Sequence, residues 1–169
     1  MISRRQFLIG SAGVGLISTA VGVRHIGTYP EPLIELRTLS SREAHIYSIL
    51  GEWMVPPTAG LPGHGGDSIS LANIDRLIAE VPDATRTLLL GLPLAFEHGA
   101  ILLDWGGKRL SAMTVEEMDA YMNLWITNSL LSVQQLLAAL KTLYGFAYYE
   151  RQDVLDAIGL PGSCSGLVQ

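Results

Sequence analysis

SSREAHIYSILGEWMVPP, residues 40–57, holds a helix start, one helical face and a helix stop within a single short stretch. Ser40 followed by Glu43 fits a capping box, in which the serine caps the first turn and the glutamate reaches back to the cap backbone. Ile46, Ile49, Leu50, Trp53 and Met54 then recur at the spacing of one apolar helical face. Pro56 and Pro57 lack the N–H a helix needs and end it. The period is 3.6 and nothing in the stretch alternates with period 2, so the first element of the domain is an α-helix.

Working outward, the same grammar repeats. Leu71, Ile74, Leu77 and Ile78 predict a helix over roughly residues 70–81, and a further one runs from about Asp83 to Leu103. Pro93 lies inside the latter and should kink or break it near residues 89–92. Its LLLGLPLAFEHGAILL run (residues 88–103) is the most apolar part of the body. With Glu97 and His98 inside, it suits a buried core helix better than a bilayer span. DWGGKRLSA (residues 104–112) makes a turn. Thr114 and Glu117 form a second capping box, followed by the apolar face Met118, Tyr121, Met122, Trp125 and Ile126. Leu130 to Tyr149 is apolar on most sides, as expected of a helix that is central or packed against two bodies. A short last helix over residues 152–158 ends at Gly159, with Pro161 and Gly162 beyond. The expected fold is all-α, an irregular bundle of five to six helices after an N-terminal signal or anchor helix.

The segment between leader and bundle, GTYPEPLIEL (residues 27–36), has two prolines and no periodicity and reads as linker. The organisation is then a signal segment at 1–24, a linker at 25–39, a helical domain at 40–162 and a flexible tail at 163–169. One domain is what 169 residues allow, with length enough for a core.

Charge and composition narrow the function. Hydrophobic residues make up 49% and charged ones 16%, with a mean hydropathy of +0.32. Part of that apolar excess lies in the first 24 residues, which hold Arg4, Arg5 and Arg24 and no acid. The rest of the chain has eight bases against sixteen acids. An acidic body argues against nucleic acid as a partner, because phosphate binding needs clustered Lys and Arg. The single Cys164 excludes an intrachain disulfide, a zinc ribbon and a Cys-x-x-Cys redox site, and in its PGSCSGLVQ tail it reads as a spectator.

Chemistry-bearing motifs are sparse. No Glu-x-x-His pair or His-Glu-x-x-His occurs, and His45, His64 and His98 stand alone. Each reads as a surface or core histidine rather than a metal ligand. The Gly-x-Gly of PPTAGLPGHGGDS (residues 56–68) follows no strand and lacks the spacing of a dinucleotide fingerprint. Asp104, Glu116, Glu117 and Asp119 lie near helix starts, where acids complement the helix dipole. No catalytic residue and no cofactor site is expected in this chain. Trp53, Trp125, Tyr144, Tyr148 and Tyr149 lie at helical spacing and would serve an ordinary core, while Phe146, Tyr148 and Tyr149 crowd more than one face of the long helix, so core packing and exposure to a protein partner are both open. The candidate interface residues are Trp125, Tyr144, Tyr148, Tyr149, Ile158 and Pro161.

The N-terminus, MISRRQFLIG, resembles a twin-arginine export signal: Ser3, Arg4, Arg5, any residue, then Phe7 and Leu8, with Ile9 where lysine is frequent. FLIGSAGVGLI (residues 7–17) is apolar but diluted by glycine, too short and weak for an ordinary spanning helix. Ser18-Thr19-Ala20 supplies small residues for a signal peptidase. Apolar character resumes at Val21 and Val23, so cleavage after Ala20 and retention as a tether are both open. The expected location is the periplasm, anchored to the inner membrane if the signal is kept, and the translocase is one expected partner.

LSSREAHIYSILGEWMVPP is followed in order by Glu116, Glu117 and Trp125, then Ala139-Leu140-Lys141, Tyr148-Tyr149, and Ile158-Gly159-Leu160-Pro161-Gly162. That order of motifs resembles the gluconate 2-dehydrogenase subunit 3 family, small subunits of periplasmic flavoprotein dehydrogenases. Leu160 stands where the family usually has tyrosine, and Ser129, Leu130 and Ser132 stand where basic residues often line the long helix. The resemblance covers roughly residues 38–162. It implies a non-catalytic subunit of an FAD-dependent sugar or alcohol dehydrogenase of the glucose-methanol-choline type. FAD would belong to the large partner and haem to a c-type cytochrome partner. The small subunit would carry the export signal and escort and stabilise the flavoprotein. A second reading is a self-standing periplasmic α-helical protein that binds a small apolar ligand between its apolar helices.

Overall fold

Residues 29–102 and 108–160 are described by the structure, a computed structural model. The export-signal residues Ser3, Arg4, Arg5, Phe7 and Leu8, and also Asp104, Pro161 and Cys164, lie outside them. Among the described residues six α-helices follow in order: α1 Ser41–Met54, α2 Ser68–Glu80, α3 Asp83–Leu102, α4 Val115–Thr127, α5 Leu131–Tyr149 and α6 Gln152–Ala157. A single 3₁₀ turn, Leu110–Ala112, precedes α4, and there is no strand among the described residues. The all-α bundle is as the periodicity dictates. Among the described residues no helix is long and apolar enough to cross a membrane.

The caps form where the local sequence places them. Glu43, itself buried, accepts from the Ser40 N–H at 2.8 Å and the Ser40 hydroxyl at 2.7 Å. Thr114 and Glu117 exchange bonds reciprocally, N–H to side chain in both directions. Asp67 caps α2 by accepting from the Ser70 N–H. At the other end of α2, Arg86 donates to the carbonyls of Ile78, Ala79 and Val81, which have no partner inside the helix. Gly159, at φ +73°, closes α6 in a Schellman arrangement: Leu160 N–H donates to Leu155 O and Gly159 N–H to Asp156 O.

Pro93 does not break α3, which runs unbroken from Asp83 to Leu102. Proline has no N–H to give the carbonyl four residues earlier, here Leu89. The Tyr47 hydroxyl of α1 donates to that carbonyl at 2.6 Å, so the bond lost to proline is supplied by another helix. Leu92, Leu94 and Phe96 around the proline are fully buried.

α1 sits at the centre, packed on α2, α3, α5 and the 3₁₀ turn. α5 rests on α1, α2 and α4 with Val133, Leu137, Leu140, Tyr144 and Ala147 turned inward. It also meets α6, and its opposite face is exposed among the described residues. The glycine loop after α1 lies directly on that helix. A Cβ on Gly66 would stand 2.0 Å from the Ser48 carbonyl oxygen, and one on Gly51 2.3 Å from that of Gly65. Those glycines serve close backbone approach. Residues 29–39 are irregular, as two prolines require, yet they are docked. The buried Asp75 carboxylate accepts from the backbone N–H groups of Arg37, Thr38 and Leu39, and Leu39 joins the core.

Candidate partner-binding surface

Of the six residues expected at an interface, the fold places three inside. Trp125 packs on Phe96 with ring centroids 4.2 Å apart and meets Tyr121 edge-on. Tyr144 is fully buried, edge-on to Tyr47, and its hydroxyl donates to the Tyr47 carbonyl. Tyr148 is buried and donates to Pro62 O at 3.1 Å. For these three the core packing that their helical spacing allows is what the fold shows, and the partner-facing expectation is corrected. A tyrosine can be buried where its hydroxyl finds a carbonyl, and Tyr144 and Tyr148 each find one on a distant segment.

Tyr149 and Ile158 are exposed, and Phe146 and Leu160, which the sequence list lacked, join them. Phe146 is one of the aromatic residues whose crowding of α5 the sequence displays. It lies off the face shared by Leu137, Leu140, Tyr144 and Tyr148, on the side that also carries Tyr149. Phe146 and Tyr149 lie in the last turn of α5, and Ile158 and Leu160 just past the end of α6, the short helix that follows it. Pro161 lies outside the described residues.

Arg151 is the rigid element of the corner between α5 and α6. It is buried, and its guanidinium bridges two acids: Nη1 to Asp67 Oδ2 at 2.7 Å, and Nε and Nη2 to the two oxygens of Asp153 at 3.0 and 2.7 Å. Nη1 also donates to Ser70 Oγ, and the guanidinium carbon stands 5.3 Å from the centre of the Tyr148 ring. The start of α2, the end of α5 and the start of α6 are thereby joined by one side chain. Its pKa is raised, chiefly by the Asp153 hydrogen bonds and then by Asp67. Burial pushes the Asp67 carboxyl up, but bonds from the Ser70 N–H, Arg151 and the His64 N–H outweigh it and leave the pKa below the usual range. Arg151 likewise lowers that of Asp153.

The charge around the corner is one-sided. From Thr142 to Leu160 the acids are Glu150, Asp153 and Asp156, and the single base is the buried Arg151. Glu150 and Asp156 are exposed.

Elsewhere most polar groups are engaged in structure, although among the described residues the buried His98 Nε2 and Trp125 Nε1 have no hydrogen-bond partner. Glu97, fully buried in α3, accepts from the Tyr29 hydroxyl at 2.9 Å and from the Ser111 N–H and hydroxyl at 3.0 and 2.6 Å. Burial, then the bond to Glu97, raises the Tyr29 pKa. His98 is half-buried, and burial lowers its pKa against the pull of Glu97. His45 packs against the Tyr29 ring, and the His64 Nδ1 accepts from the Gly66 N–H. Glu117 pairs with Lys108, and Asp119 accepts from Trp53 Nε1–H at 2.7 Å. Among the described residues no three His, Cys, Asp or Glu side chains converge as a metal site would require. A surface cleft of about 190 Å³ lies between residues 30–34, His45 and Ser48 of α1, and the start of α2.

No family model matches the chain, and neither does any curated protein or solved structure.

Proposed function

We propose that this chain is the non-catalytic small subunit of an FAD-dependent sugar or alcohol dehydrogenase, exported by the twin-arginine route together with its folded flavoprotein. The observation that carries the reading is the Ser3-Arg4-Arg5 leader in front of an acidic helical domain that leaves Phe146, Tyr149, Ile158 and Leu160 uncovered. A twin-arginine address suits cargo that takes up its cofactor before export. FAD would be held by the large partner, since no dinucleotide fingerprint occurs in this sequence. Haem would belong to a c-type cytochrome that receives the electrons. The small subunit would act in the periplasm, tethered to the inner membrane if its leader is kept.

The test is co-expression with a glucose-methanol-choline-type flavoprotein of the same genome. The two chains should purify as a stable heteromer from the periplasm. Changing Arg4 and Arg5 together to lysine should strand both in the cytoplasm. A flavoprotein that reaches the periplasm unaided and does not co-purify would end the proposal.

A further inference from the structure

We infer that the α5–α6 corner is the docking face of this subunit, and that it receives a protein surface with an apolar socket bordered by Lys or Arg. The inference rests on the reading of the chain as a subunit and adds where, and to what chemistry, it binds.

Four large apolar side chains stand open within fifteen residues: Phe146 is 51% exposed, Tyr149 47%, Ile158 44% and Leu160 54%. Exposed aromatic residues are frequent anchors of a protein interface. These anchors are held in place before any partner arrives. Tyr149 meets Tyr148 edge-on at 5.1 Å, Tyr148 is fixed by Pro62 O and by Arg151, and Arg151 is tied to α2 and α6. A preorganised anchor loses little entropy on binding. Gly159 holds the turn that carries Ile158 and Leu160.

The charge at the corner chooses the occupant. Glu150 and Asp156 are exposed beside the anchors, Asp153 adds a third acid, and the only base in the stretch is buried and already shared between two carboxylates. A second copy of this chain would bring the same acids against them, which like-charge repulsion disfavours. An anionic lipid surface meets the same repulsion. A partner with apolar surface inside a basic border satisfies both the anchors and the acids.

A photo-crosslinking amino acid placed at Phe146 or Tyr149, with Leu88 on α3 as an exposed control site, tests this in the native host with the full chain. The expected result is an adduct from positions 146 and 149, absent from 88, joining one other protein. The peptide captured should carry Lys or Arg beside apolar residues. Glu150→Lys combined with Asp156→Lys should cut adduct yield roughly tenfold, and a Glu150→Lys single variant should fall between. Thermal melting of the free variants, expected within a few degrees of the parent, checks that they fold. An adduct to a second copy or to lipid, a yield no higher than at Leu88, or indifference to charge reversal would each overturn the inference. Its failure is separable from that of the subunit reading. A flavoprotein that co-purifies but crosslinks only away from the corner sinks the docking face alone. A charge-dependent adduct at 146 with a protein that binds neither flavin nor haem and is no part of the translocase sinks the subunit reading and leaves the docking face standing.

Discussion

A single hydroxyl decides whether α3 can tolerate its proline. Tyr47 reaches from α1 to the Leu89 carbonyl that Pro93 leaves without a partner. Tyr47→Phe removes the donor and strands a buried acceptor, which should lower stability by about 1–3 kcal/mol in urea melts. Pro93→Ala restores an N–H at position 93 that can serve Leu89. In that background the cost of Tyr47→Phe should drop by about half or more, a coupling measurable by a double-mutant cycle. An equal cost in both backgrounds would show that the two residues are independent. The sequence predicted a disturbance at residues 89–92 because proline's local effect is readable. Its repair by a residue 42 positions earlier in the chain was not.

At the scale of elements, the join between α2, α5 and α6 hangs on the Arg151 guanidinium. Asp67 and Asp153 both have folded-state pKa values below the ordinary carboxylate value. Their contribution is therefore present in full above about pH 3.9, the unfolded value, and drains away as pH falls through the lower folded values. Melting temperature recorded from pH 6 down to pH 2.5 should show this loss. Arg151→Met removes the shared cation and leaves Asp67, whose side chain is 18% exposed, without its ion-pair partner. It should cost about 3 kcal/mol at neutral pH, at the lower end for broken buried pairs. The gap between variant and parent should narrow in acid, and a gap that stays constant with pH would rule out the electrostatic account. Elements themselves were legible: both capping boxes, the helix ends at Pro56 and Gly159, and the apolar faces of α1, α2 and α4. All of these follow from interactions within four residues of chain.

Across the whole molecule, the segment before α1 is part of the bundle. Asp75 takes three successive backbone N–H groups from residues 37–39, and Glu97 takes the Tyr29 hydroxyl. Asp75→Asn keeps an oxygen for the Thr38 and Leu39 N–H groups but turns an amide donor toward the Arg37 N–H, and should loosen the segment at that residue. Trypsin should then cut after Arg37 several-fold faster under native conditions, read by mass spectrometry against time. An unchanged rate would mean that Leu39 and the partly buried Ile34 and Leu36 hold the segment without Asp75. Prolines and missing periodicity revealed the irregularity of this stretch. Its docking depends on acids in α2 and α3 that nothing local announces.

The interface residues divide along the same line. Sequence by itself determined that the chain folds as helices, where most of them start and stop, and that its long helix carries more aromatic residues than one face can bury. Tertiary structure alone decided which of them are covered. Trp125, Tyr144 and Tyr148 went inside because Phe96, Tyr47 and Pro62 meet them there, while Phe146 and Tyr149 find no covering element among the described residues. Helix formation is governed by neighbours three and four residues apart, which a sequence displays. Burial is governed by pairs dozens of residues apart, brought together only when the whole bundle closes.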